Sequence, residues 1–269
     1  MTEDDLVREH YKKQAAKWGD SAASTMEDEI VRKRETELIS NFINILGREK
    51  LEIVDIGCGN GYTLDVLSAK FPGSKYWGID FSEELITIAK NRNLANCEFI
   101  EGSACSLNFD DNFFDVVYTQ RCLINILNWD EQKKALDEIH RVIKPNGYYL
   151  MIECFTDGLI NNNRARTECG LSELKEAYHN KYFQKELFFN TIKSKFTIME
   201  PNQLDSSLPP FNFLSSHYFI ARVLHALVTQ GEQIKNTEFV NFFSYLPPIG
   251  NYSPIQAYIL RKVKNAGDI

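Results

Sequence analysis

Short β-rich segments alternate with helix-like segments from residue 51 to residue 153, and this alternation constrains the fold more than any other feature. Strands that alternate with helices of about 10–15 residues predict a parallel sheet with helices on both faces. The nearly continuous apolar runs at 54–56 and 116–118 fit strands that are buried on both sides. The predicted strands are 51–56, 75–79, 97–100, 113–118, 148–153, 195–199 and 256–261, and the predicted helices are 4–18, 26–47, 61–71, 82–91, 130–143 and 171–192.

These segments predict an α/β fold, a doubly wound and mostly parallel sheet of seven strands. The stretch from 205 to 252 is rich in proline and aromatic residues. It is too long for a plain connection between two strands, so we expect a helical lid inserted before the last strand. The predicted parts are an N-terminal helical cap at 1–48, a ligand-binding α/β core at 49–204, a lid for substrate binding at 205–252 and the final strand of the core at 253–269.

The charge balance and the cysteines exclude several classes of protein. The formal net charge is −7 and the isoelectric point is about 5.4, which argues against a nucleic-acid partner, since such proteins usually carry a basic face. The six cysteines are scattered without a C-x-x-C pair, so we expect neither a disulfide framework nor a metal site. No signal peptide is recognisable, and no apolar run reaches the ~18 residues of a membrane span. We therefore expect a cytoplasmic protein without a membrane span.

A glycine-rich loop follows the first predicted strand, which ends in Asp55 and Ile56. The loop at 57–61 reads Gly-Cys-Gly-Asn-Gly and leads into a helix. Such a loop lets a ligand approach the backbone, although many α/β proteins carry one only for tight helix–sheet packing. The dinucleotide fingerprint needs its third glycine one place later, where this chain has Tyr62. Asp80 ends the second strand, where an acid can accept hydrogen bonds from both ribose hydroxyls of an adenosine ligand.

In combination, these residues and several further motifs resemble the class I S-adenosylmethionine-dependent methyltransferases. The resemblance covers about residues 50–155. It implies the Rossmann-like methyltransferase fold, with a helical cap over the cofactor. It also implies S-adenosyl-L-methionine as the methyl donor and S-adenosyl-L-homocysteine as the product. The matching segments are Val-Asp-Ile-Gly-Cys-Gly-Asn-Gly at 54–61, Gly-Ile-Asp-Phe-Ser at 78–82, Glu-Gly-Ser-Ala at 101–104, Phe-Phe-Asp-Val-Val at 113–117 and Arg-Val-Ile-Lys-Pro-Asn-Gly-Tyr at 141–148.

The same resemblance assigns residues to the cofactor. The methionine part is expected over the glycine loop, with its ammonium group near Asp55 and its ribose on Asp80. The adenine is expected between Phe81 and Ser103, where family members often carry Asp, so Ser103 is the weaker contact. The basic run at 32–34, Arg-Lys-Arg, either offers one cation to the methionine carboxylate or is solvated. The predicted cofactor residues are Tyr11, Asp55, Gly57, Cys58, Gly59, Asp80, Phe81, Ser103, Ala104 and Arg121.

Candidate acceptor and catalytic residues follow the later strands, because the carboxyl ends of those strands face the ligand. Arginines and histidines gather in this half of an acidic protein, which favours an anionic acceptor, since arginine binds carboxylate and phosphate well. We expect O-methylation of a small polar or anionic acceptor, such as a sugar, glycan or natural-product hydroxyl, with a histidine as general base. A purely structural role stays open for each candidate. The candidates are His179 and His217 as the base, and Glu153, Arg166, Tyr218 and Arg222 as acceptor contacts.

Three other functions stay open. An N- or C-methyltransferase acting on a small metabolite would use the same cofactor site, although the Asn/Asp-Pro-Pro-aromatic motif of some N-methyltransferases is replaced by Thr-Gln-Arg-Cys at 119–122. The position of the third glycine argues against a nicotinamide-dependent oxidoreductase. The third is a binding module that holds the cofactor without catalysis. The aromatic residues of the lid are candidates for a hydrophobic core within the lid, for a pocket wall or for a homodimer contact. These residues are Phe211, Phe213, Phe242 and Phe243.

Overall fold

Seven strands form one sheet in the computed structural model, which describes residues 3–232 and 234–263. The strands are β1 Glu52–Ile56, β2 Lys75–Asp80, β3 Cys97–Glu101, β4 Phe114–Gln120, β5 Ile143–Cys154, β6 Phe196–Met199 and β7 Ile255–Lys262. They lie in the order β3-β2-β1-β4-β5-β7-β6, and only β7 runs antiparallel to its neighbours. The predicted fold class, a doubly wound and mostly parallel sheet of seven strands, is confirmed.

Helices connect the parallel strands and continue beyond them into the C-terminal half. Three of these helices, which begin at residues 29, 83 and 129, are capped by the side chain of the preceding residue. The capping residues are Asp28, Ser82 and Asn128, and each accepts a hydrogen bond from a backbone amide of the first turn. The α-helices are α1 Glu3–Trp18, α2 Glu29–Ile45, α3 Tyr62–Lys70, α4 Glu83–Lys90, α5 Trp129–Val142, α6 Thr156–Glu168, α7 Lys185–Ile192, α8 Pro201–Leu204, α9 Ser215–Phe219, α10 His225–Val228 and α11 Glu238–Phe243.

The segment at 171–184 is irregular, so the predicted helix over 171–192 is wrong for all but its last turns, which form α7. The amides of Lys181 and Phe183 donate to the carbonyls of Ile124 and Cys154 instead of to carbonyls four residues earlier. These bonds attach the segment to the end of β5 and to the turn after β4. Helix α6 was not predicted, because its polar sequence lacks an apolar stripe.

The strand order reverses between β1 and β4, which lie side by side at the centre of the sheet. Both strands are almost completely buried, and most of their side chains are apolar. In open α/β sheets a ligand binds at the carboxyl ends of the strands at such a reversal. The glycine loop after β1 and the chain after β4 both start at this point.

The predicted lid contains several short helices, and a π-helical turn, Ile220–Leu224, joins α9 to α10. The aromatic residues of the lid differ in how far they are exposed to solvent. Phe213 is fully buried and Phe211 stacks on Tyr258, whereas Phe242 is 82% exposed. Over the described ranges, 3–232 and 234–263, no helix combines the length and apolar character that crossing a membrane requires.

Candidate active site

The glycine loop turns sharply because three of its residues adopt left-handed backbone conformations. The φ angles of Gly57, Gly59 and Gly61 are 82°, 55° and 76°. A Cβ atom added to Gly57 would lie 2.4 Å from the Cβ of Cys122, so the loop packs tightly on the chain after β4. The amide of Gly57 donates to the carbonyl of Ile79 at 2.7 Å, which attaches the loop to β2. A side chain has no room here, and the loop backbone is open to a ligand.

A cavity of about 240 Å³ lies over this loop and is called the first cavity below. Its walls come from the glycine loop, the ends of β2 and β4, the turn after β3 and helix α1. The hydroxyl of Ser103 accepts a hydrogen bond from the amide of Cys105 at 3.2 Å, which shapes that turn. All ten residues that the sequence assigns to the cofactor line this cavity: Tyr11, Asp55, Gly57, Cys58, Gly59, Asp80, Phe81, Ser103, Ala104 and Arg121.

Two buried carboxylates face the first cavity. Asp80 accepts hydrogen bonds from the amides of Gly59 at 2.8 Å and Ser82 at 3.0 Å, and burial raises its pKa to about 6. The Oδ1 atom of Asp55 is buried without a hydrogen-bond partner in the described part of the chain. Burial, and to a smaller extent the charge of Asp80, raises the pKa of Asp55 to about 8. An unused buried acceptor of this kind fits a cationic donor such as the methionine ammonium group.

We expect the affinity for S-adenosylmethionine to rise as the pH rises from 6 to 7.5. Asp55 holds its proton below its raised pKa of about 8, whereas a bound ammonium group favours the ionised form, so binding releases a proton. The dissociation constant should fall roughly three- to tenfold per pH unit. Calorimetric titrations in buffers of different ionisation enthalpy measure both the affinity and the proton release. Asp55→Asn should abolish the proton release, and a constant wild-type affinity over this range would contradict the assignment.

Helix α1 closes over the first cavity through polar and ring contacts. The hydroxyl of Tyr11 donates to Oδ1 of Asn125 at 3.0 Å, and its ring meets Phe81 edge-on with centroids 5.9 Å apart. The guanidinium of Arg8 lies 5.1 Å from the centroid of the Phe81 ring. The side-chain amide of Asn60 donates to two carbonyls of the turn after α1, at 2.9 Å each. The glycine loop therefore helps to hold the cap that covers it.

Of the three basic residues at 32–34, only Arg32 lines the first cavity. Lys33 and Arg34 bond to Tyr245 and to the carbonyl of Ser244 instead. The Nε atom of Arg32 is buried without a hydrogen-bond partner among the described residues. Burial, and then the neighbouring charge of Arg121, lowers the pKa of Arg32 to about 10, so it stays a cation at neutral pH. Of the three residues, Arg32 therefore brings its positive charge to the first cavity.

Arg121 follows β4 and is held by a buried ion pair with Glu35 of α2. Its Nε and Nη2 atoms donate to the two oxygens of Glu35 at 2.9 and 3.2 Å, and its Nη1 atom donates to the carbonyl of Thr25 at 2.9 Å. Glu35 is fully buried, and Arg121 itself has a left-handed φ of 54°. All three guanidinium nitrogens are thus engaged within the protein. Arg121 shapes the cavity wall by joining α2 to the sheet.

A second cavity of about 640 Å³ shares residues with the first. Tyr11, Thr25 and Arg121 line both cavities, so the two spaces lie next to each other at these residues. The wall of the second cavity comes from the connection before α2, from α6, from the irregular segment after α6 and from the π-helical turn. Of the predicted catalytic and acceptor residues, this cavity collects His179, Tyr218 and Arg222.

The two histidines predicted as a general base differ in position. His179 lines the second cavity and stacks on His10 with ring centroids 3.7 Å apart. Burial, and then the neighbouring His10, lowers the pKa of His179 to about 4, so its imidazole is neutral at pH 7. His217 is 1% exposed and lines neither cavity, and its Nε2 atom lies 3.1 Å from both carboxylate oxygens of Asp28. The structure therefore places His217 in a buried pair that supports the N-terminus of α2.

Two predicted acceptor contacts also lie outside both cavities. The carboxylate of Glu153 is fully buried and accepts hydrogen bonds from the amides of residues 122–124, and burial raises its pKa to about 7. Arg166 is 1% exposed and donates to the carbonyls of Ser172 and Arg222. Both side chains are thus engaged with backbone groups of neighbouring segments. Their assignment to the acceptor stays a prediction, and neither side chain lines the second cavity.

Several residues of the site carried no recognisable signal in the sequence. Glu35 and Thr25 fix the junction of the cavities, and Asn60 and Asn125 hold the cap, but each is a common polar residue in an ordinary position. Asp28 was recognisable as a helix N-cap, because Glu29 and the apolar positions of α2 follow it. Its pairing with residues of the lid was not predictable.

Comparison with known proteins locates the similarity in the core. A methyltransferase domain family matches residues 53–147. The demethylmenaquinone methyltransferase of Chlorobaculum tepidum is 36% identical over 107 residues, which are 40% of this chain and 42% of that protein. The demethylmenaquinone methyltransferase of Lactococcus lactis is 37% identical over 108 residues, 38% of this chain and 42% of that protein. The chain thus matches about two fifths of the length of these curated relatives.

Solved structures share the fold over a longer stretch. The phosphoethanolamine N-methyltransferase 1 of Haemonchus contortus, in complex with phosphoethanolamine and S-adenosylhomocysteine, superposes with a TM-score of 0.60 at 19% identity. That match covers all of this chain and 51% of the other. An S-adenosylmethionine-dependent methyltransferase of Methanosarcina mazei gives a TM-score of 0.51 at 20% identity, covering 81% of this chain and 95% of the other. At these identities the likeness shows the fold alone.

Proposed function

We propose that the protein is an S-adenosylmethionine-dependent methyltransferase that methylates a small polar acceptor bound in the second cavity, since a methyltransferase domain family matches residues 53–147. The residues of the first cavity fit the cofactor. Its glycines leave the loop backbone open, Asp55 has an unused acceptor and Arg32 has an unused donor. Asp55 and Arg32 would hold the ammonium and carboxylate groups of the methionine part, and Asp80 would hold the ribose.

The meeting of the two cavities at Tyr11, Thr25 and Arg121 is the observation that carries this proposal. S-adenosylmethionine supplies a methyl group whose bond to sulfur breaks, leaving the electron pair on sulfur, while the acceptor atom forms the new bond and gives up its proton. Alignment of the two partners supplies on the order of 7–11 kcal/mol in well-oriented reactions. The residues that line both cavities would align the methyl group with the acceptor atom and exclude water from the space between them.

The lining of the second cavity favours a polar acceptor with a hydroxyl nucleophile. It includes both acidic and basic side chains, the amides of two asparagines and the phenol of Tyr182. The relatives named for demethylmenaquinone support C-methylation of a quinone-like acceptor as the second candidate. However, the family match ends at residue 147, and most of the second cavity is built from residues outside it. A small hydroxyl-bearing metabolite or sugar therefore remains the preferred acceptor.

His179 is the residue that we propose as the proton acceptor for a hydroxyl nucleophile. It lines the second cavity, and its Nδ1 atom is buried without a hydrogen-bond partner among the described residues. The lowered pKa of about 4 keeps this imidazole unprotonated at neutral pH, although it also makes it a weak base. His217 can contribute only through Asp28, since it lines neither cavity.

Titration of the wild-type protein with S-adenosylmethionine and with NAD⁺ tests the proposed function. We expect one S-adenosylmethionine to bind and NAD⁺ to give no heat, because the third glycine stands at position 61, one place before the dinucleotide fingerprint requires it. Incubation with labelled S-adenosylmethionine and a panel of small alcohols, amines and quinones then identifies the methylated atom. His179→Ala should lower turnover with an alcohol by about 10²–10⁴-fold without changing cofactor affinity. Binding of NAD⁺ alone would overturn the proposal, and binding without any transfer would favour the non-catalytic module.

A further inference from the structure

Arg222 brings a buried positive charge to the second cavity, and one of its guanidinium nitrogens is unused. The residue is 8% exposed, and its Nη2 atom donates to Asp28 at 3.3 Å. Its Nη1 atom is buried without a hydrogen-bond partner among residues 3–232 and 234–263. The guanidinium carbon lies 5.6 Å from the centroid of the Tyr218 ring, which limits its movement. A buried charged donor is rarely left unpaired, so a ligand is the natural partner for Nη1.

The backbone that carries Arg222 is unusual. Arg222 is the middle residue of the π-helical turn Ile220–Leu224. Such turns are rare, and many of them occur at functional sites. Arg166 of α6 donates to the carbonyl of Arg222, so the turn is also held in place from the neighbouring helix. The position of the guanidinium is therefore fixed before a ligand arrives.

Asn162 of α6 offers a complementary group in the same cavity. It is 1% exposed, and its Nδ2 atom donates to the carbonyl of Tyr252 at 2.9 Å, which fixes the orientation of the amide. Its Oδ1 atom is buried without a partner among the described residues. Helix α6 packs against the π-helical turn. The cavity wall thus includes an unused cationic donor at Arg222 and an unused neutral acceptor at Asn162, besides the unpartnered Nδ1 of His179 and hydroxyl of Ser24.

We propose that the acceptor is a small organic monocarboxylic acid that also carries a hydroxyl or amino group. Its carboxylate binds Nη1 of Arg222, and its O–H or N–H group donates to Oδ1 of Asn162. Of the three guanidinium nitrogens of Arg222, Nη1 is the buried one without a partner in the described part of the chain, and the carboxylate of Asp28 lies against Nη2. A phosphate dianion carries more negative charge than a carboxylate and is repelled more strongly by Asp28, so a single carboxylate is the better match for Nη1. This inference rests on the proposed function, because it names the acceptor of that reaction.

Calorimetric titration of the protein loaded with S-adenosylhomocysteine tests this inference. The probes are glycolate, 3-hydroxybutyrate, 4-hydroxybenzoate and 4-aminobutyrate, each with its methyl ester, together with 4-hydroxyphenyl phosphate. At least one acid should bind, and about tenfold or more tighter than its ester and than the phosphate. Arg222→Met should weaken binding of that acid about ten- to a hundredfold. Arg222→Lys keeps a cation for Asp28. It should still weaken binding of the acid several-fold, because lysine has no second nitrogen to take the place of Nη1.

Arg261→Met provides the matched control. Arg261 is exposed on β7, bonds to Asn146 and lines neither cavity, so its loss should leave acid binding unchanged. Titration with S-adenosylmethionine verifies that each variant is folded, because Arg222 does not line the first cavity. If no acid binds, if acid and ester bind equally, or if folded Arg222 variants bind the acid like wild type, the inference is wrong. Failure of the wild-type protein to bind S-adenosylmethionine would instead contradict the proposed function.

Discussion

Replacing Asp80 with alanine is expected to weaken the binding of S-adenosylmethionine by about 10²–10⁴-fold. Hydrogen bonds to a charged group contribute about 1.5–3 kcal/mol each, and two ribose hydroxyls would lose such a partner. The substitution also removes the acceptor for the amide of Gly59, so the glycine loop loses a hydrogen bond that holds it in place. Calorimetric titration measures the affinity, and circular dichroism shows whether the variant is folded.

Asp115→Ala is the matched control for this prediction. Asp115 lies near the opposite end of the sheet, where it accepts hydrogen bonds from the amide of Glu52 and from Lys144, and it lines neither cavity. Its loss should affect stability without changing the cofactor affinity. Should folded Asp80→Ala bind S-adenosylmethionine within about threefold of wild type, the assignment of the ribose to Asp80 would be wrong.

Replacing Glu35 with glutamine is expected to lower the free energy of unfolding by about 3–5 kcal/mol. The substitution leaves the charge of Arg121 buried and unpaired, at a residue that is already in a left-handed conformation. In a chain of this size the loss corresponds to a fall in melting temperature of about 6–20 °C. Chemical denaturation measures the free energy, and differential scanning calorimetry measures the melting temperature. Cofactor binding should weaken as well, because Arg121 and Thr25 line the first cavity.

Two further variants distinguish the effect of the buried ion pair between Glu35 and Arg121 from the effect of losing any carboxylate. Glu37→Gln removes an exposed carboxylate of the same helix, whose oxygen lies 3.9 Å from Lys33, and should change stability by about 1 kcal/mol or less. Replacing Glu35 and Arg121 together by leucine and methionine should recover part of the loss, since no unpaired charge then remains buried. Equal effects of Glu35→Gln and Glu37→Gln would show that the buried pair contributes no more than a surface one.

The lining of the first cavity was predictable from sequence because its determinants are local. Gly57, Gly59 and Gly61 are required by the backbone conformation of one short loop, and Asp80 is placed by the end of the neighbouring strand. Once parallel strands are recognised, their carboxyl ends must meet at one edge of the sheet. The ten predicted cofactor residues accordingly line a single cavity, although nine of them are at least 44 positions from Tyr11 in the sequence.

The lining of the second cavity was predictable only as a region. Arginine and histidine content pointed to the later part of the chain, but Arg166 and Glu153 proved to satisfy backbone groups, whereas Arg222 faces the second cavity. The same residue types can either bond to backbone groups or face a cavity. Which of the two roles a side chain takes depends on the buried groups around it. Burial and hydrogen-bond partners are properties of the packed chain, so residue type alone could not separate the two roles.

The sequence by itself determined the α/β fold, the order of most of its elements and the position of the cofactor loop, because strand and helix periodicity and glycine conformation act over a few residues. Only the tertiary structure decided how the two cavities meet. Arg121 pairs with Glu35 across 86 positions, and His217 with Asp28 across 189. Such pairs form only when folding removes both side chains from water and leaves each as the other's partner. No local pattern in the chain encodes that choice.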